Sequence, residues 1–313
     1  MSTLFLHEDE LRQLVTLTDA MNSIRDALAA DREGQMHLPG EFTLHLPDAG
    51  GTVRAAGVYV DGAGHYTVTI HSEFCPTPEL AHHHGITILF NAQSGRPAAI
   101  IQDNGYLARL RTAALAALTA DRLAPASPVR LSILDVSSKT AYLHLKALLT
   151  VRQPGDIWVW DESPAQADNF AAMLAEEQNL NLTLAESLAQ AVETADLLLC
   201  PAYLLPQIPP DLLTPGMHLS VTMLRRRDRL DTAPPLLNRI HRIFTNVAPG
   251  FPTETAPASL TDLLTGKLPA HPADEITLAF LHDQPSVDLP LATLALEKAL
   301  FHGIGHHFTG PLH

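Results

Sequence analysis

The stretch at 107–136, LARLRTAALAALTADRLAPASPVRLSILDV, decides the fold of this chain. Its first half is rich in Ala and Leu and predicts a helix over 107–123 that carries an arginine near its start. Pro125 and Pro128 end that helix, and a short apolar run over 131–136 predicts a buried strand. The stretch therefore predicts a hinge between the helix of one domain and the first strand of another.

Composition limits the functions open to the chain. Its 313 residues, 46% of them hydrophobic, can form one or two domains with substantial cores. The N-terminus lacks a basic segment followed by an apolar stretch, and no apolar run approaches the roughly 20 residues that span a bilayer, so we expect a cytoplasmic protein without a membrane partner. A formal net charge of -14 argues against nucleic acid as a partner. Cys75 and Cys200 lie in separate segments and predict no disulfide framework.

From residue 129 onward, short apolar runs alternate with helical segments. Strands are predicted over 131–136, 157–160, 182–184, 197–200, 217–222 and 242–246, with helices over 139–150, 164–177 and 187–194. Such alternation implies parallel strands joined by right-handed crossovers. We therefore predict the α/β class, with a doubly wound parallel sheet of the Rossmann type in this half of the chain.

The N-terminal part follows a different pattern. A helix is predicted over 8–31 from its apolar spacing, and β-rich segments follow over 42–71. Residues 86–101 predict a hairpin with a Ser94-Gly95 turn, and the tail over 288–302 predicts a further helix. This part of the sequence indicates a mixed α+β domain.

The turn after the strand at 131–136 lacks the glycines of a dinucleotide site. Those glycines let backbone N–H groups approach a diphosphate at the start of a helix. The candidate cofactor-binding residues here are instead Asp135, Ser137, Ser138, Lys139 and Thr140. The Asp135 carboxylate repels a diphosphate, whereas the hydroxyls and the Lys139 ammonium attract it. Two interpretations stay open: a working dinucleotide site, or a sheet that has lost its dinucleotide.

Two later strands end in further candidates for contact with the cofactor. Asp161 ends the second strand, where an acidic residue binds a ribose 2′-hydroxyl and favours NAD over NADP. Cys200 ends the fourth strand. Acidic residues at strand ends are common, so Asp161 alone does not decide whether the sheet binds a dinucleotide.

The run Arg225–Arg229 is interpreted either as a solvated loop or as a phosphate or carboxylate site.

Several segments resemble the ornithine cyclodeaminase/mu-crystallin family. The segment 87–99, TILFNAQSGRPAA, is similar to the family's hairpin L-x-D-x-x-T-G-x-P-x-A, and LARLRTAA at 107–114 to its helix L-T-x-x-R-T-A-A. AVETAD at 191–196 is similar to A-V-x-x-A-D, and LTPGMH at 213–218 to L-x-P-G-x-H. The segments occur in the family's order and cover nearly the whole chain.

This resemblance implies a two-domain subunit. Residues 1–122 with 287–313 are expected to form a dimerisation and substrate-binding domain, and 123–286 a dinucleotide-binding domain. The resemblance also implies a homodimer with NAD(P)-linked chemistry on a small amino or imino acid. The alternative is a dimeric member that has lost cofactor and catalysis and binds a small carboxylate ligand or a protein partner.

Only some of the functional residues that the family resemblance implies are present in this sequence. The resemblance implies that Arg111 grips the substrate carboxylate, for which a guanidinium fork is suited. Thr69 stands where the family has a substrate-binding lysine. Arg225 stands where the family has a catalytic aspartate, and Asp228 is the nearest carboxylate that could replace it. These departures argue against ornithine cyclisation.

The chain has 17 histidines, some of which could replace the missing acid/base. His71 and His84 are the candidates, because His71 follows the strand of Thr69 and His84 lies in the neighbouring segment. The clusters at 82–84 and 302–307 could instead hold zinc or nickel. Their spacing matches no specific metal motif, so we assign no metal site.

Overall fold

The computed structural model describes residues 2–74, 82–125, 129–137, 139–178, 180, 182–222, 234–245, 256–269, 274–281 and 287–308. The chain divides into two compact units: unit 1 is Met1–Arg111 with Gln284–His313, and unit 2 is Thr112–Asp283. Within the described residues, no helix is both long enough and apolar enough to cross a membrane.

The strands and the α-helices of the described chain are each numbered in chain order. The strands are β1 (Thr3–His7), β2 (Met36–His37), β3 (Phe42–Leu46), β4 (Gly51–Val60), β5 (His65–Phe74), β6 (His82–Asn91), β7 (Pro97–Gln102), β8 (Val129–Leu134), β9 (Pro154–Trp160), β10 (Thr183–Leu184), β11 (Leu197–Pro201), β12 (His218–Thr222), β13 (Arg242–Thr245), β14 (Ala258–Ser259), β15 (Thr277–Leu281) and β16 (His306–Phe308). The α-helices are α1 (Glu8–Leu14), α2 (Leu17–Arg32), α3 (Tyr106–Leu123), α4 (Lys139–Leu149), α5 (Pro164–Gln178), α6 (Leu188–Glu193), α7 (Pro234–Leu237), α8 (Leu260–Leu264) and α9 (Asp288–His302).

The division between the units falls inside α3 rather than after it. The start of this helix belongs with unit 1, since the Arg12 guanidinium lies 4.6 Å from the Tyr106 ring centre. Its end belongs with unit 2, where Ala120 joins the apolar core. Residues 126–128 of the predicted hinge lie outside the described residues, and the predicted domain bounds stay a prediction.

Unit 1 is built on a mixed sheet in the order β16-β1-β7-β6-β5-β4-β2, with β3 also paired to β4. Along β5 and β6, odd-numbered residues such as Thr69 and Thr87 are buried. Their even-numbered neighbours, such as Ile70 and Ile86, are exposed. The sheet therefore has one covered face, against which α9 packs, and one face that the described residues leave open.

The single helix predicted over 8–31 is wrong, because a second helix starts at Leu17. Thr16 caps α2 by accepting a hydrogen bond from the Asp19 N–H at 3.1 Å. The Asp19 carboxylate accepts one from the Thr16 N–H at 2.9 Å in return. This reciprocal pair satisfies two N–H groups at a helix start and so fixes the break between α1 and α2.

Unit 2 is a parallel sheet in the order β10-β9-β8-β11-β12-β15-β13-β14. Apolar clusters cover both of its faces, one with α3, α4 and α5 and the other with α6 and α7. The predicted doubly wound parallel sheet is confirmed. β15, which the sequence patterns did not mark as a strand, lies between β12 and β13. The chain order reverses between β8 and β11, and such a switch point opens a crevice at the carboxyl edge of a sheet.

Candidate functional site

The turn after β8 retains the backbone shape of a glycine turn. Asp135 has φ +60°, in the left-handed region that favours glycine. Its carboxylate is held from two sides: Oδ1 accepts a hydrogen bond from the Ser137 hydroxyl and Oδ2 one from the Tyr203 phenol, each at 2.6 Å. These two bonds offset the cost of a non-glycine residue in this conformation.

Asp161 joins the end of β9 to the same turn. Its Oδ2 accepts hydrogen bonds from the N–H groups of Val136 at 3.0 Å and Ser137 at 3.2 Å. Its Oδ1 accepts one from the Ser163 N–H at 2.9 Å. The structure thus places the predicted ribose-binding acid directly against the predicted cofactor turn.

A small cavity of about 20 Å³ lies at the carboxyl edge of β8, β11 and β12. Its lining includes Asp135, Thr140, His144, Cys200 and Thr222. Burial raises the pKa of Cys200 to about 12, so its sulfur is a neutral thiol at pH 7. Ser138 and the side chain of Lys139 lie outside the described residues.

Sequence reasoning missed His144, which lies one helical turn after Thr140 on α4. It is 4% exposed, and burial lowers its pKa to about 4, so its ring is neutral at pH 7. Among the described residues, its Nε2 has no hydrogen-bond partner. The signal in the sequence was the i, i+4 spacing from Thr140, which puts both residues on one face of the helix.

In unit 1, Arg111 lies at the centre of a buried polar cluster. Its guanidinium forms an ion pair with Asp288, and it is only 1% exposed. The other carboxylate oxygen of Asp288 accepts a hydrogen bond from the Thr69 hydroxyl at 3.0 Å, and that hydroxyl lies 3.3 Å from the Thr87 hydroxyl. The two predicted substrate residues are therefore brought together, but by a carboxylate that sequence reasoning missed.

His71 extends this cluster along β5. Burial lowers its pKa; the Asp288 carboxylate opposes this shift, and the Arg111 guanidinium adds to it. Gly85 lies directly opposite in the register, and a Cβ there would be 2.7 Å from His71 Nδ1. The imidazole therefore occupies the space that a larger residue would fill. Burial also raises the pKa of Asp103, whose carboxylate accepts the N–H groups at the start of α3.

His84, a further predicted site residue, does not join this cluster. His84 is exposed and pairs with Ser72 in the register, so it lies on the face of the sheet opposite to His71. Arg225 and Asp228 lie outside the described residues.

Each unit can therefore do a distinct kind of chemistry. The cluster in unit 1 combines a guanidinium, two carboxylates and an imidazole, which can bind a polar group and transfer a proton. In unit 2 the strand–turn–helix backbone and Asp161 fit a dinucleotide. The Asp135 carboxylate opposes binding of the diphosphate at that turn.

A parallel sheet with a switch-point crevice and an acid at the end of its second strand defines the class of dinucleotide-binding α/β proteins. The family model for the ornithine cyclodeaminase/mu-crystallin family matches residues 1–270, and the chain belongs to that family. It is 30% identical over 194 residues to an uncharacterized cyclodeaminase of Sinorhizobium fredii, a match that spans 61% of this chain and 58% of that relative.

Solved structures share this fold at low sequence identity. The Δ(1)-pyrroline-2-carboxylate reductase of Thermococcus litoralis, in complex with NADH and L-proline, aligns with a TM-score of 0.84 at 19% identity. That alignment covers 97% of this chain and 99% of the reductase. An archaeal alanine dehydrogenase dimer with bound NAD aligns with a TM-score of 0.81 at 18% identity, over 99% of each chain.

Proposed function

We propose that this chain is a cytoplasmic NAD-dependent oxidoreductase acting on an amino or imino acid, with the dinucleotide in unit 2 and the substrate in unit 1. The observation that carries the proposal is the contact of Asp161 with the turn after β8. There the carboxylate can also accept a ribose hydroxyl, and it disfavours the 2′-phosphate of NADP. Family membership and the dinucleotides bound by the two solved relatives support the same function.

The side chains of unit 1 have separate roles in this proposal. Arg111 binds the substrate carboxylate through its guanidinium, which also pairs with Asp288. His71 transfers the proton at the substrate nitrogen, since its lowered pKa keeps the imidazole available as a base near neutral pH. Asp288 holds Arg111 and Thr69 in place.

When bound, a nicotinamide dinucleotide supplies or accepts a hydride at the substrate α-carbon. The chain must orient that carbon and manage the accompanying proton. The buried setting of Arg111 and Thr69 favours this, because a substrate held there is shielded from water. With Thr69 in place of a lysine, the site does not carry the amine that the family uses, so ornithine cyclisation is not proposed.

Isothermal titration with NADH and NADPH, followed by assays with cyclic and open-chain imino acids, tests the proposal. We expect NADH to bind more tightly than NADPH and to reduce at least one imino acid. Arg111→Lys should raise KM for that substrate, and Lys146→Arg on α4 serves as a charge-conserving control. If neither dinucleotide binds at millimolar concentration, the proposal is wrong.

One observation favours a second candidate function. Asp135 puts a carboxylate on the cofactor turn and engages it in two hydrogen bonds, as expected for a sheet that has lost its dinucleotide. Such a protein would bind a small carboxylate ligand through Arg111, or a protein partner. In a thermal-shift screen it would be stabilised by small acids or by no compound tested, whereas the oxidoreductase would be stabilised by NADH.

We propose a homodimer formed through the open face of the unit 1 sheet. That face carries exposed apolar side chains on three strands: Phe42 (60% exposed), Leu44 (45%), Ile70 (40%) and Ile86 (41%). Light scattering should give twice the 33.9 kDa of one chain. Ile86→Glu should halve that mass, and Leu184→Glu, at an exposed apolar residue of unit 2, should not. A monomeric wild type would contradict the proposal.

A further inference from the structure

The hydrogen bond between Tyr203 and Asp135 crosses the mouth of the switch-point crevice. Asp135 directly follows β8, and Tyr203 lies in the 3-10 helix Ala202–Gln207 that directly follows β11. β8 and β11 are adjacent and parallel, so both residues stand at the carboxyl edge. The 2.6 Å bond therefore links the two sides of the crevice that a dinucleotide enters in this fold.

The bridge places negative charge where a diphosphate would bind. Asp135 is anchored at both carboxylate oxygens, so it cannot turn away without breaking a hydrogen bond. Asp161 already accepts two N–H groups of the same turn. Burial raises the pKa of Tyr203, and its hydrogen bond to Asp135 raises it further, so the phenol keeps its proton and remains a donor.

The cavity that Asp135 lines contains a buried polar atom without a hydrogen bond. His144 also lines this cavity, and its buried Nε2 has no partner among the described residues. A cavity of about 20 Å³ can admit about one water molecule. The lining of this cavity thus includes a polar atom, unlike a cavity lined only by apolar side chains.

We infer that Asp135 and Tyr203 are specificity-determining residues of this crevice, because their bridge weakens the binding of any ligand that carries a diphosphate. Asp135 acts directly through its charge. Tyr203 is a positioning residue that holds Asp135 across the mouth. The inference rests on the proposed function, since it concerns the site in which the dinucleotide is proposed to bind.

Titrations of NADH, ADP and adenosine against the full chain test the inference. Asp135→Asn should tighten the binding of NADH and ADP by at least about tenfold, because it removes one negative charge beside the diphosphate. Adenosine, which has no phosphate, should change by less than about twofold. Asp156→Asn makes the same change of charge on β9 outside the crevice and should leave all three affinities unchanged.

Tyr203→Phe separates positioning from a general structural effect. It should tighten NADH binding by about threefold in the wild-type background, and should add nothing in the Asp135→Asn background. Tyr59→Phe in unit 1 is the matched control. Equal gains in both backgrounds would show that Tyr203 does not act through Asp135.

The outcomes keep this inference distinct from the proposed function. If Asp135→Asn binds NADH and ADP no more tightly than the wild type, the inference is wrong. The inference is also wrong if neither the wild type nor the variant binds NADH or ADP. If the variant gains affinity but neither protein reduces an imino acid, the inference stands and the proposed function fails.

Discussion

Replacing His144 should remove a large part of the acid sensitivity of unit 2. The native ring has a pKa of about 4, against 6.5 for an unperturbed histidine. Above pH 6.5 neither the folded nor the unfolded chain binds a proton at this residue. Between pH 6.5 and 4 only the unfolded chain does, so stability must fall as the pH falls through this window.

The magnitude follows from the same two values. At about 1.4 kcal/mol per pH unit, the full shift corresponds to a loss of about 3 kcal/mol by pH 4, of which about 2 kcal/mol is lost by pH 5. His144→Leu cannot bind this proton. The difference in unfolding free energy between the two proteins should therefore move in favour of the variant by about 2 kcal/mol from pH 7 to pH 5.

Urea unfolding followed by tryptophan fluorescence can measure this difference. The two tryptophans of the chain, Trp158 and Trp160, both lie on β9 in unit 2, so the signal reports on the unit that contains His144. Carboxylates that titrate at low pH affect both proteins equally and cancel in the comparison. A difference that stays constant within about 0.5 kcal/mol between pH 7 and pH 5 would refute the reasoning.

Two further predictions concern unit 1. Gly85→Ala should displace the His71 imidazole, because the new Cβ would lie 2.7 Å from Nδ1, and should lower kcat/KM for an accepted imino acid by about tenfold. The control Gly64→Ala has open space around the new Cβ and should leave kcat/KM unchanged. Equal values of kcat/KM in the two variants would contradict the role of His71. Asp288→Ala should cost about 3–5 kcal/mol in urea unfolding because it leaves the Arg111 charge buried without this carboxylate. Adding Arg111→Met should recover much of that loss, and strictly additive losses would show that the pair is not coupled.

The sequence predicts unit 2 well because a buried parallel strand is a nearly continuous apolar run. β11 is such a run, and residues 157–160 of β9 form a shorter apolar run. The alternation of these strands with helices leaves few topologies open. The position of Asp161 follows from that topology. Tyr203 could not be assigned to the same site, because its approach to Asp135 depends on the path of a 3-10 helix that no periodic pattern marks.

In unit 1, by contrast, the contacts of the candidate site could not be predicted from the sequence. Arg111 was identified from its motif, but Asp288 lies 177 residues further along the chain, and no local pattern links the two. The helix break at Thr16 was present in the sequence as a capping pair with Asp19, but the continuous apolar spacing concealed it. Side-chain pairing between distant segments is a property of the folded sheet and helix packing, which periodicity does not encode.

The discontinuous make-up of unit 1 imposes an order on events at the ribosome. β1 pairs with β16, and Arg111 pairs with the first residue of α9, so the earliest segments to emerge must wait for the last. Residues 112–283 emerge before α9 and can fold while Arg111 is still exposed to water. A nascent chain stalled before Asp288 should therefore leave an open sheet edge and an Arg111 cation without the Asp288 carboxylate. Chaperones and proteases recognise exposed features of this kind.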